Sequence, residues 1–424
     1  MRANRYTFNI SVLPGLLIAL AGALLSGCQP TVRPQAKPVI TPDQPKADRP
    51  ARPVHPPNPN TVWPPRAAWV VRRVYESPQQ IADLMENCHQ AGFNNILFQI
   101  RGNGTLFIPS SIEPLADEFA GNDRGFDQLQ VACTEAHRRG MALHAWVNVM
   151  PAWRGSRPPA DPRQLYNAHP DWFLKDQKGR RQPLNDFYVS LNPALPEVRK
   201  YLVNLFHDIC ARYPIDGLHL DYIRFPLDKA PRGADYPRDA RSLQLYRTAT
   251  GKKPDQDRNA WTRWRRQQVT QLVSDIRRML RRAKPQARLT VACSPDLQTA
   301  RNTYFQDGPS WLRQNLVDAA FVMNYTADPA TFRKRQETWL RAAPGKMVVP
   351  GLGVYKHQTS ATTLEQLRYA ESWRRGFALF STNALFGPDA GQPPRIDAIQ
   401  PTLTAMAQRA DTRRKTTQAR QIVP

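Results

Sequence analysis

The segment at residues 215–226, IDGLHLDYIRFP, contains the residues best suited to chemistry. Its pattern predicts a short buried β-strand that ends at Asp221 and continues into a loop at Arg224. Because side chains alternate along a strand, His219 and Asp221 are expected on the same face. A carboxylate at the carboxyl end of such a strand, flanked by Tyr222 and Arg224, suits the acid or the nucleophile of a glycosidase.

Strand and helix signals alternate along the rest of the sequence. The predicted strands are residues 67–71, 95–100, 141–148, 215–221, 289–294, 318–324, 347–352 and 377–381. Eight strands that alternate with helices predict a (β/α)8 barrel of the TIM type. An open, doubly wound sheet is the alternative, but no GxGxxG motif follows the first strand.

Polar and aromatic side chains follow the predicted strands, at the edge where such barrels place their active sites. The expected substrate-binding residues are Arg101, Trp146, Asn148, His219, Tyr222, Arg224, Asn324, Tyr325 and Tyr355. Planar polar groups of this kind hydrogen-bond sugar hydroxyls, and aromatic rings stack on the apolar face of a sugar.

Asp221 and Asp296 are the expected catalytic carboxylates, because they follow the fourth and fifth predicted strands. Neighbouring strands lie about 4.8 Å apart, so carboxylates on their ends can reach the roughly 5–5.5 Å separation of a retaining pair. Either acid is a candidate proton donor. Each of three residues also has a structural interpretation: Asp296 as a loop residue, His219 as a core residue, and Arg101 as a member of an ion pair. No His, Asp or Glu cluster has ligand spacing, so neither a metal nor another cofactor is expected.

The first 28 residues have the features of a lipoprotein signal peptide: early arginines, an apolar run, and LSGC ending at Cys28, the expected lipidation site. Residues 29–65 are rich in proline and predict a disordered spacer. Residues 66–410 form the predicted barrel domain, and residues 411–424 a basic, disordered tail. These features predict an exported protein that is held on a membrane by lipid. In a cell with two membranes, it would lie at the outer membrane or on the periplasmic side.

The formal net charge is +24, and much of it lies between residues 258 and 288. Such charge favours anionic surfaces, although a solvated outer helix of the barrel is the preferred interpretation. Nucleic acid is not an expected partner for an exported lipoprotein. Cys88, Cys133, Cys210 and Cys293 are expected as buried thiols, with a Cys88–Cys133 disulfide as an open alternative.

An ordered series of motifs resembles the glycosyl hydrolase-like 10 family. The motifs are RAAW at 66–69, FQIR at 98–101, HAWVN at 144–148, residues 216–226, MNY at 323–325 and PGLG at 350–353. The resemblance implies a (β/α)8 glycosidase fold and an envelope lipoprotein that cuts peptidoglycan glycan strands lacking stem peptides. Segment 216–226 is also similar to the chitinase signature, but Ile223 stands where chitinases have their acid, which argues against substrate-assisted chemistry.

The favoured hypothesis is therefore a lipid-anchored glycoside hydrolase that acts on an envelope glycan through carboxylates. Two alternatives belong to other classes of protein. One is a non-catalytic barrel that binds glycan, which would keep the aromatic residues but would not require Asp221 and Asp296. The other is a basic envelope scaffold that binds an anionic polymer or lipid.

Overall fold

A computed structural model describes residues 63–119, 124–387 and 395–422, with side chains described as far as residue 417. The predicted signal peptide, its Cys28 and the spacer as far as residue 62 lie outside the described residues. In the part of the chain that is described, no helix is both long enough and apolar enough to cross a membrane.

Within the described residues, ten strands form two sheets. In chain order they are β1 (Arg66–Val70), β2 (Asn95–Arg101), β3 (Ala142–Asn148), β4 (Pro151–Gly155), β5 (Asn185–Ser190), β6 (Gly217–Asp221), β7 (Arg288–Cys293), β8 (Ala319–Met323), β9 (Val348–Gly353) and β10 (Phe377–Phe380). Eight of them close into a parallel barrel in the order β1-β10-β9-β8-β7-β6-β3-β2, while β4 and β5 pair as an antiparallel hairpin. The predicted (β/α)8 barrel and its eight strands are confirmed.

Helices surround the barrel. They are α1 (Pro78–Gln90), α2 (Gln128–Arg138), α3 (Leu165–Ala168), α4 (Pro196–Arg212), α5 (Ala240–Thr250), α6 (Arg258–Ala283), α7 (Leu297–Asn302), α8 (Gly308–Arg313), α9 (Pro329–Ala342), α10 (Ser360–Trp373), α11 (Thr382–Phe386) and α12 (Ile396–Ile422). Local sequence sets many of their starts. Proline occupies the first turn of α1, α4 and α9, where its missing N–H costs no hydrogen bond.

The core has two layers because side chains alternate along each barrel strand. A small inner cluster inside the barrel contains Trp69, Trp146 and Phe321, while a larger cluster fills the space between strands and helices. Gly217 is required at the start of β6, since a Cβ there would lie 2.3 Å from Nδ1 of His144. At the carboxyl ends of the strands, the inward-facing side chains line the mouth of the barrel.

Residues on both sides of the predicted barrel domain, 66–410, contact it or continue its helices. Trp63 already packs against the barrel, with its ring 6.5 Å from that of His144, and Pro65 O accepts a hydrogen bond from Phe377 N. The tail expected to be disordered from residue 411 continues α12 as far as Ile422. Arg413 explains part of this difference, because its guanidinium lies 3.3 Å from a carboxylate oxygen of Glu371 on α10.

The four cysteines of the barrel are all buried free thiols, so the Cys88–Cys133 disulfide is not formed. Burial raises the pKa of each thiol. A buried thiol that stays protonated is a weak nucleophile and a weak metal ligand. These cysteines therefore serve as small apolar side chains of the core.

Candidate active site

Asp221 is the last residue of β6 and lies at the mouth of the barrel with only 6% of its surface exposed. Its Oδ1 accepts a hydrogen bond from the backbone N–H of Tyr222 at 2.7 Å. Tyr222 has a φ of 49°, a left-handed conformation that is uncommon for a residue with a side chain. The backbone of the turn directly after β6 therefore holds the Asp221 carboxylate in place.

Burial raises the pKa of the Asp221 carboxyl above its ordinary value. The Arg224 guanidinium opposes this rise, as do the Tyr222 N–H and the Trp146 indole, but burial is the largest contribution. A carboxyl group with a raised pKa keeps its proton to a higher pH than an ordinary aspartate and can donate it to a leaving group. This environment suits the general acid of a glycosidase better than a permanently ionised carboxylate.

An open cavity of about 430 Å³ lies over the inner layer of the barrel, with Asp221 in its wall. Its lining residues are Trp69, Val71, Arg72, Gln99, Glu118, Trp146, Asn148, Arg154, Tyr188, Asp221, Tyr222, Ala292, Met323, Tyr325, Tyr355 and Phe380. Six residues predicted from the sequence meet here: Asp221, Trp146, Asn148, Tyr222, Tyr325 and Tyr355. They come from four different strands or the loops that follow them.

The strand register brings the polar side chains of the cavity side by side. Asn148 lies opposite Asp221 in the β3–β6 pairing. The Nε2 of Gln99 on β2 donates a hydrogen bond to Asn148 Oδ1 at 3.1 Å. This bond fixes the orientation of the Asn148 amide, whose nitrogen is thereby left to face other groups. Gln99, Asn148 and Asp221 thus form a row across three neighbouring strands.

Aromatic rings form the opposite wall. Tyr325 lies 5.2 Å from the ring of Phe380 and 6.1 Å from that of Tyr355, between ring centroids. Tyr355 is 50% exposed, the one large apolar or aromatic side chain of the described residues with such exposure. An exposed tyrosine ring beside a polar row gives the cavity both surfaces that a sugar requires.

Asp296 is not part of the cavity, and its expected catalytic role is not supported. β7 ends at Cys293, and the exposed Asp296 is the N-cap of α7, where its Oδ1 accepts a hydrogen bond from Thr299 N at 2.7 Å. This bond lowers the pKa of its carboxyl. The structure does not place Asp296 in the cavity with Asp221, because the strand ends three residues before the acid.

Arg101 was expected to bind substrate, but it is fully buried away from the cavity. Its guanidinium makes two hydrogen bonds to Glu113, at 2.6 and 2.8 Å, and others to the backbone carbonyls that follow β3. The pairing of β2 with β3 shifts register between Gln99 and Arg101. The shift makes Gln99 the last side chain of β2 in the cavity, while Arg101 supports the loop after β3.

Three further expected binding residues are also outside the cavity wall. His219 is buried below it, bonded to Trp69 and Thr290. Asn324 faces outward, and its Nδ2 donates to Phe332 O at 2.7 Å. Arg224 is buried between the rings of Tyr222 and Tyr304, with its Cζ 4.4 and 5.1 Å from their centroids. The first two stabilise the barrel, and Arg224 acts on Asp221 through its charge.

Glu118 is the carboxylate of the cavity that the sequence did not suggest. It lies in a short 3-10 helix at Asp117–Phe119, in the loop after β2, and is exposed. It also lines a second opening of about 430 Å³, together with Asp117, Trp153 and Asp186. The two openings share Arg72, Glu118 and Arg154, so the mouth is an extended groove, and Glu118 is the second carboxylate in the lining of the cavity that contains Asp221. Only its position in a long loop after a barrel strand could have indicated it.

No group of three His, Cys, Asp or Glu side chains within residues 63–119, 124–387 and 395–422 is arranged to hold a metal ion. The chemistry that the described groove offers comes from carboxyl groups, amides, guanidinium groups and aromatic rings.

Curated relatives of this chain carry the name glycosyl hydrolase. Glycosyl hydrolase DigH of Escherichia coli K12 is 28% identical over 297 residues, which cover 64% of this chain and 62% of that protein. Glycosyl hydrolase YngK of Bacillus subtilis 168 is 27% identical over 241 residues, covering 55% of this chain and 42% of that protein. The match thus spans less than two thirds of the length of either relative.

Solved structures of glycosidases share the fold at low sequence identity. The glycoside hydrolase domain of PgaB (BpsB) from Bordetella bronchiseptica has a TM-score of 0.56 at 14% identity, covering 81% of this chain and 98% of that domain. The β-galactosidase of Marinomonas ef1 has a TM-score of 0.58 at 13% identity, covering 83% and 60%.

The family model for glycosyl hydrolase-like 10 matches residues 60–353, which include seven of the eight barrel strands and every carboxylate of the groove. The chain therefore belongs to the glycosyl hydrolase-like 10 family.

Proposed function

We propose that this protein is a glycoside hydrolase that cleaves the glycosidic bonds of an envelope glycan, with peptidoglycan glycan strands as its substrate. The observation that carries the proposal is the Asp221 carboxyl, buried at the end of β6 with a raised pKa and open to an aromatic-lined groove. The family, and relatives named glycosyl hydrolase, support the same class of reaction.

In the proposed mechanism Asp221 is the general acid. It gives its proton to the oxygen of the leaving sugar as the bond to the anomeric carbon breaks. The carboxylate formed on Asp221 is stabilised by the Tyr222 N–H and by the charge of Arg224. Glu118, in the same groove, is the candidate for the second carboxylate, which either attacks the anomeric carbon or activates a water.

The remaining groove residues would bind and orient the sugar. Asn148, held by Gln99, presents its amide to hydroxyl groups beside Asp221. Tyr325 and Tyr355 offer ring faces to the apolar side of a sugar. The two openings that meet at Glu118 form a groove longer than one ring, as a polymeric substrate requires.

The test is hydrolysis of peptidoglycan glycan strands freed of stem peptides. Asp221→Asn keeps the shape of the side chain, and we expect it to lower turnover by at least ~100-fold while the glycan still binds. Glu118→Gln is expected to lower turnover to a similar extent. Asp296→Asn is the matched control and should retain parental turnover, because asparagine also caps a helix.

Several outcomes would contradict the proposal. Parental turnover in Asp221→Asn would overturn the assignment of the acid. Binding of the glycan by the parental protein without any product would favour the non-catalytic glycan-binding barrel instead. The anomeric configuration of the first product, read by nuclear magnetic resonance, distinguishes a nucleophilic from a base role for the second carboxylate.

The proposal includes a membrane location through lipid on Cys28, which the LSGC motif supports. Cys28→Ser should move the protein from the membrane fraction to the soluble fraction. Fractionation at about 1 M salt, where the Debye length is only about 3 Å, removes purely electrostatic attachment. Retention of the variant in washed membranes would disprove the lipid anchor.

A further inference from the structure

The face of the barrel opposite the groove carries a continuous series of cations. Strands β7, β8, β9 and β10 are neighbours in the barrel, and all four begin on that face. Basic side chains lie at the end of the helix or turn that leads into each of these strands. We define the basic arc as Arg281 and Arg282 before β7, Arg313 before β8, Lys346 before β9, and Arg374 and Arg375 before β10.

The basic arc is not neutralised by neighbouring acids. In the described parts of the chain, none of its nitrogens lies within 4.0 Å of a carboxylate oxygen. The nearby acids are engaged elsewhere: Asp318 with Arg277 at 2.7 Å, Glu337 with Arg341 at 3.9 Å, and Glu371 with Arg409 at 2.7 Å. The charge of the arc is therefore available to an external partner.

Hydrogen bonds to neutral groups join successive loops of the arc. Arg313 donates to the carbonyl of Ala342 at 2.6 Å, and Lys346 Nζ donates to Asn315 Oδ1 at 2.8 Å. These bonds fix the two cations relative to each other without removing their charge. The helix dipole favours cations at helix carboxyl ends, which explains single members of the arc. It does not require that all six cations of the arc lack an ion pair.

The chain enters the barrel beside one end of the arc. Trp63 precedes β1, the neighbour of β10, and its ring lies 4.3 Å from the guanidinium carbon of Arg288. A cavity of about 360 Å³ opens there, and its lining includes Trp63, Phe377 and Met406, four arginines, and the acids Glu371 and Asp411. This end of the barrel thus combines cations with an aromatic and apolar recess.

We propose that the basic arc is a docking surface for an anionic phospholipid bilayer, on which the barrel stands with its groove turned away from the membrane. A basic side chain close to such a surface strengthens binding by about fivefold, so several on one rim act together. The opening of the groove at the opposite end carries Asp117, Glu118 and Asp186 against Arg72 and Arg154, so its net charge does not attract the same surface. The aromatic and apolar recess favours an amphiphilic surface over a soluble polyanion.

The experiment compares vesicles of phosphatidylcholine with vesicles that contain about one third phosphatidylglycerol, by co-sedimentation of the full chain carrying Cys28→Ser. The N-terminal residues are the same in the parental protein and in every variant. The measurement is therefore the ratio of the partition coefficient on anionic vesicles to that on phosphatidylcholine vesicles. We expect Arg281→Gln/Arg282→Gln/Arg374→Gln to lower this ratio by about 100-fold, at fivefold for each cation. The preference of the parental protein should disappear at about 1 M salt.

The matched control is Arg241→Gln/Arg247→Gln/Arg263→Gln, which removes the same charge from exposed positions without ion pairs on α5 and the first half of α6. These positions belong to the groove end of the barrel, and the control should keep the parental ratio. An equal loss in both variants would show that only net charge matters and would overturn the proposal. So would parental binding by the arc variant, or binding of soluble polyphosphate without binding to anionic vesicles. Near-ultraviolet circular dichroism checks that each variant is folded.

Discussion

Trp69 donates a hydrogen bond from its indole Nε1 to Nε2 of His219 at 3.1 Å inside the barrel. An indole nitrogen can only donate, so Nε2 accepts and the proton of the neutral imidazole lies on Nδ1. That proton is directed at Thr290 Oγ1, 2.9 Å away. A second proton on His219 would lie on Nε2 and would point at the N–H of the Trp69 indole. Burial adds to this effect and lowers the pKa of His219 well below its ordinary value.

We expect acid to destabilise the barrel through its buried histidines. Burial lowers the pKa of His144 to about 4, and His219 shifts in the same direction. Between about pH 6.5 and pH 4 the unfolded chain binds more protons than the folded one, so this stability is present above pH 6.5 and lost as the pH falls. For His144 the loss is on the order of 3 kcal/mol. Urea unfolding at a series of pH values measures it.

His219→Gln and His207→Gln separate this effect from general acid denaturation. His219 is buried, whereas His207 is exposed on α4. The pH dependence of the unfolding free energy should become shallower in His219→Gln and stay parental in His207→Gln. An unchanged pH dependence in both variants would mean that the buried imidazole is not the group that titrates.

Much of the site follows from the sequence where strand alternation alone decides it. His219 and Asp221 share the inner face of β6, and Trp146 and Asn148 share that of β3, as the period of two requires. The same rule fails at Arg101, because the register shift after Gln99 depends on the partner strand. It fails at Asp296 because the helix cap, rather than the strand, determines where that side chain points.

Loop residues of the groove could not be predicted in this way. Glu118 reaches the cavity because the loop after β2 folds back over the barrel, where Ala116 N donates to Leu106 O at 2.8 Å. Arg154 and Tyr188 reach it because β4 and β5 pair with each other. Such pairings between loop segments depend on long-range packing, which local periodicity does not record.

We expect the Arg101–Glu113 pair to be essential for folding. Both side chains are fully buried, and Tyr201 donates a further hydrogen bond to Glu113 at 3.1 Å. Glu113→Gln would leave the guanidinium buried without its counter-ion, which is expected to lower the unfolding free energy by about 4 kcal/mol. Asp171→Asn, in the exposed pair with Lys175, should cost at most about 1 kcal/mol. Denaturant unfolding of both variants decides whether burial makes this difference.

We expect Asp221→Asn to raise the melting temperature near neutral pH. A carboxyl group whose pKa is higher in the folded chain binds its proton more tightly when folded. Its contribution therefore favours folding at low pH and is lost as the pH rises through the folded pKa. The neutral amide of Asp221→Asn avoids this loss. The increase in melting temperature over the parental protein should therefore be present at about pH 7 and should shrink towards about pH 4. Thermal melts of both proteins across this range measure it. A gain that does not vary with pH would contradict burial of the charge as its cause.

We expect Tyr355 to bind the sugar through its ring. Its side chain is 50% exposed, so Tyr355→Ala removes little core packing, while its ring borders the cavity beside Tyr325 and Phe380. Loss of one stacked ring should raise KM for the glycan by about 3- to 10-fold with kcat nearly unchanged. Tyr355→Phe keeps the ring and should retain the parental KM. If Tyr355→Phe raised KM as much as Tyr355→Ala does, the hydroxyl group rather than the ring would be the binding element. If neither variant changed KM, the sugar would not extend to this side of the groove.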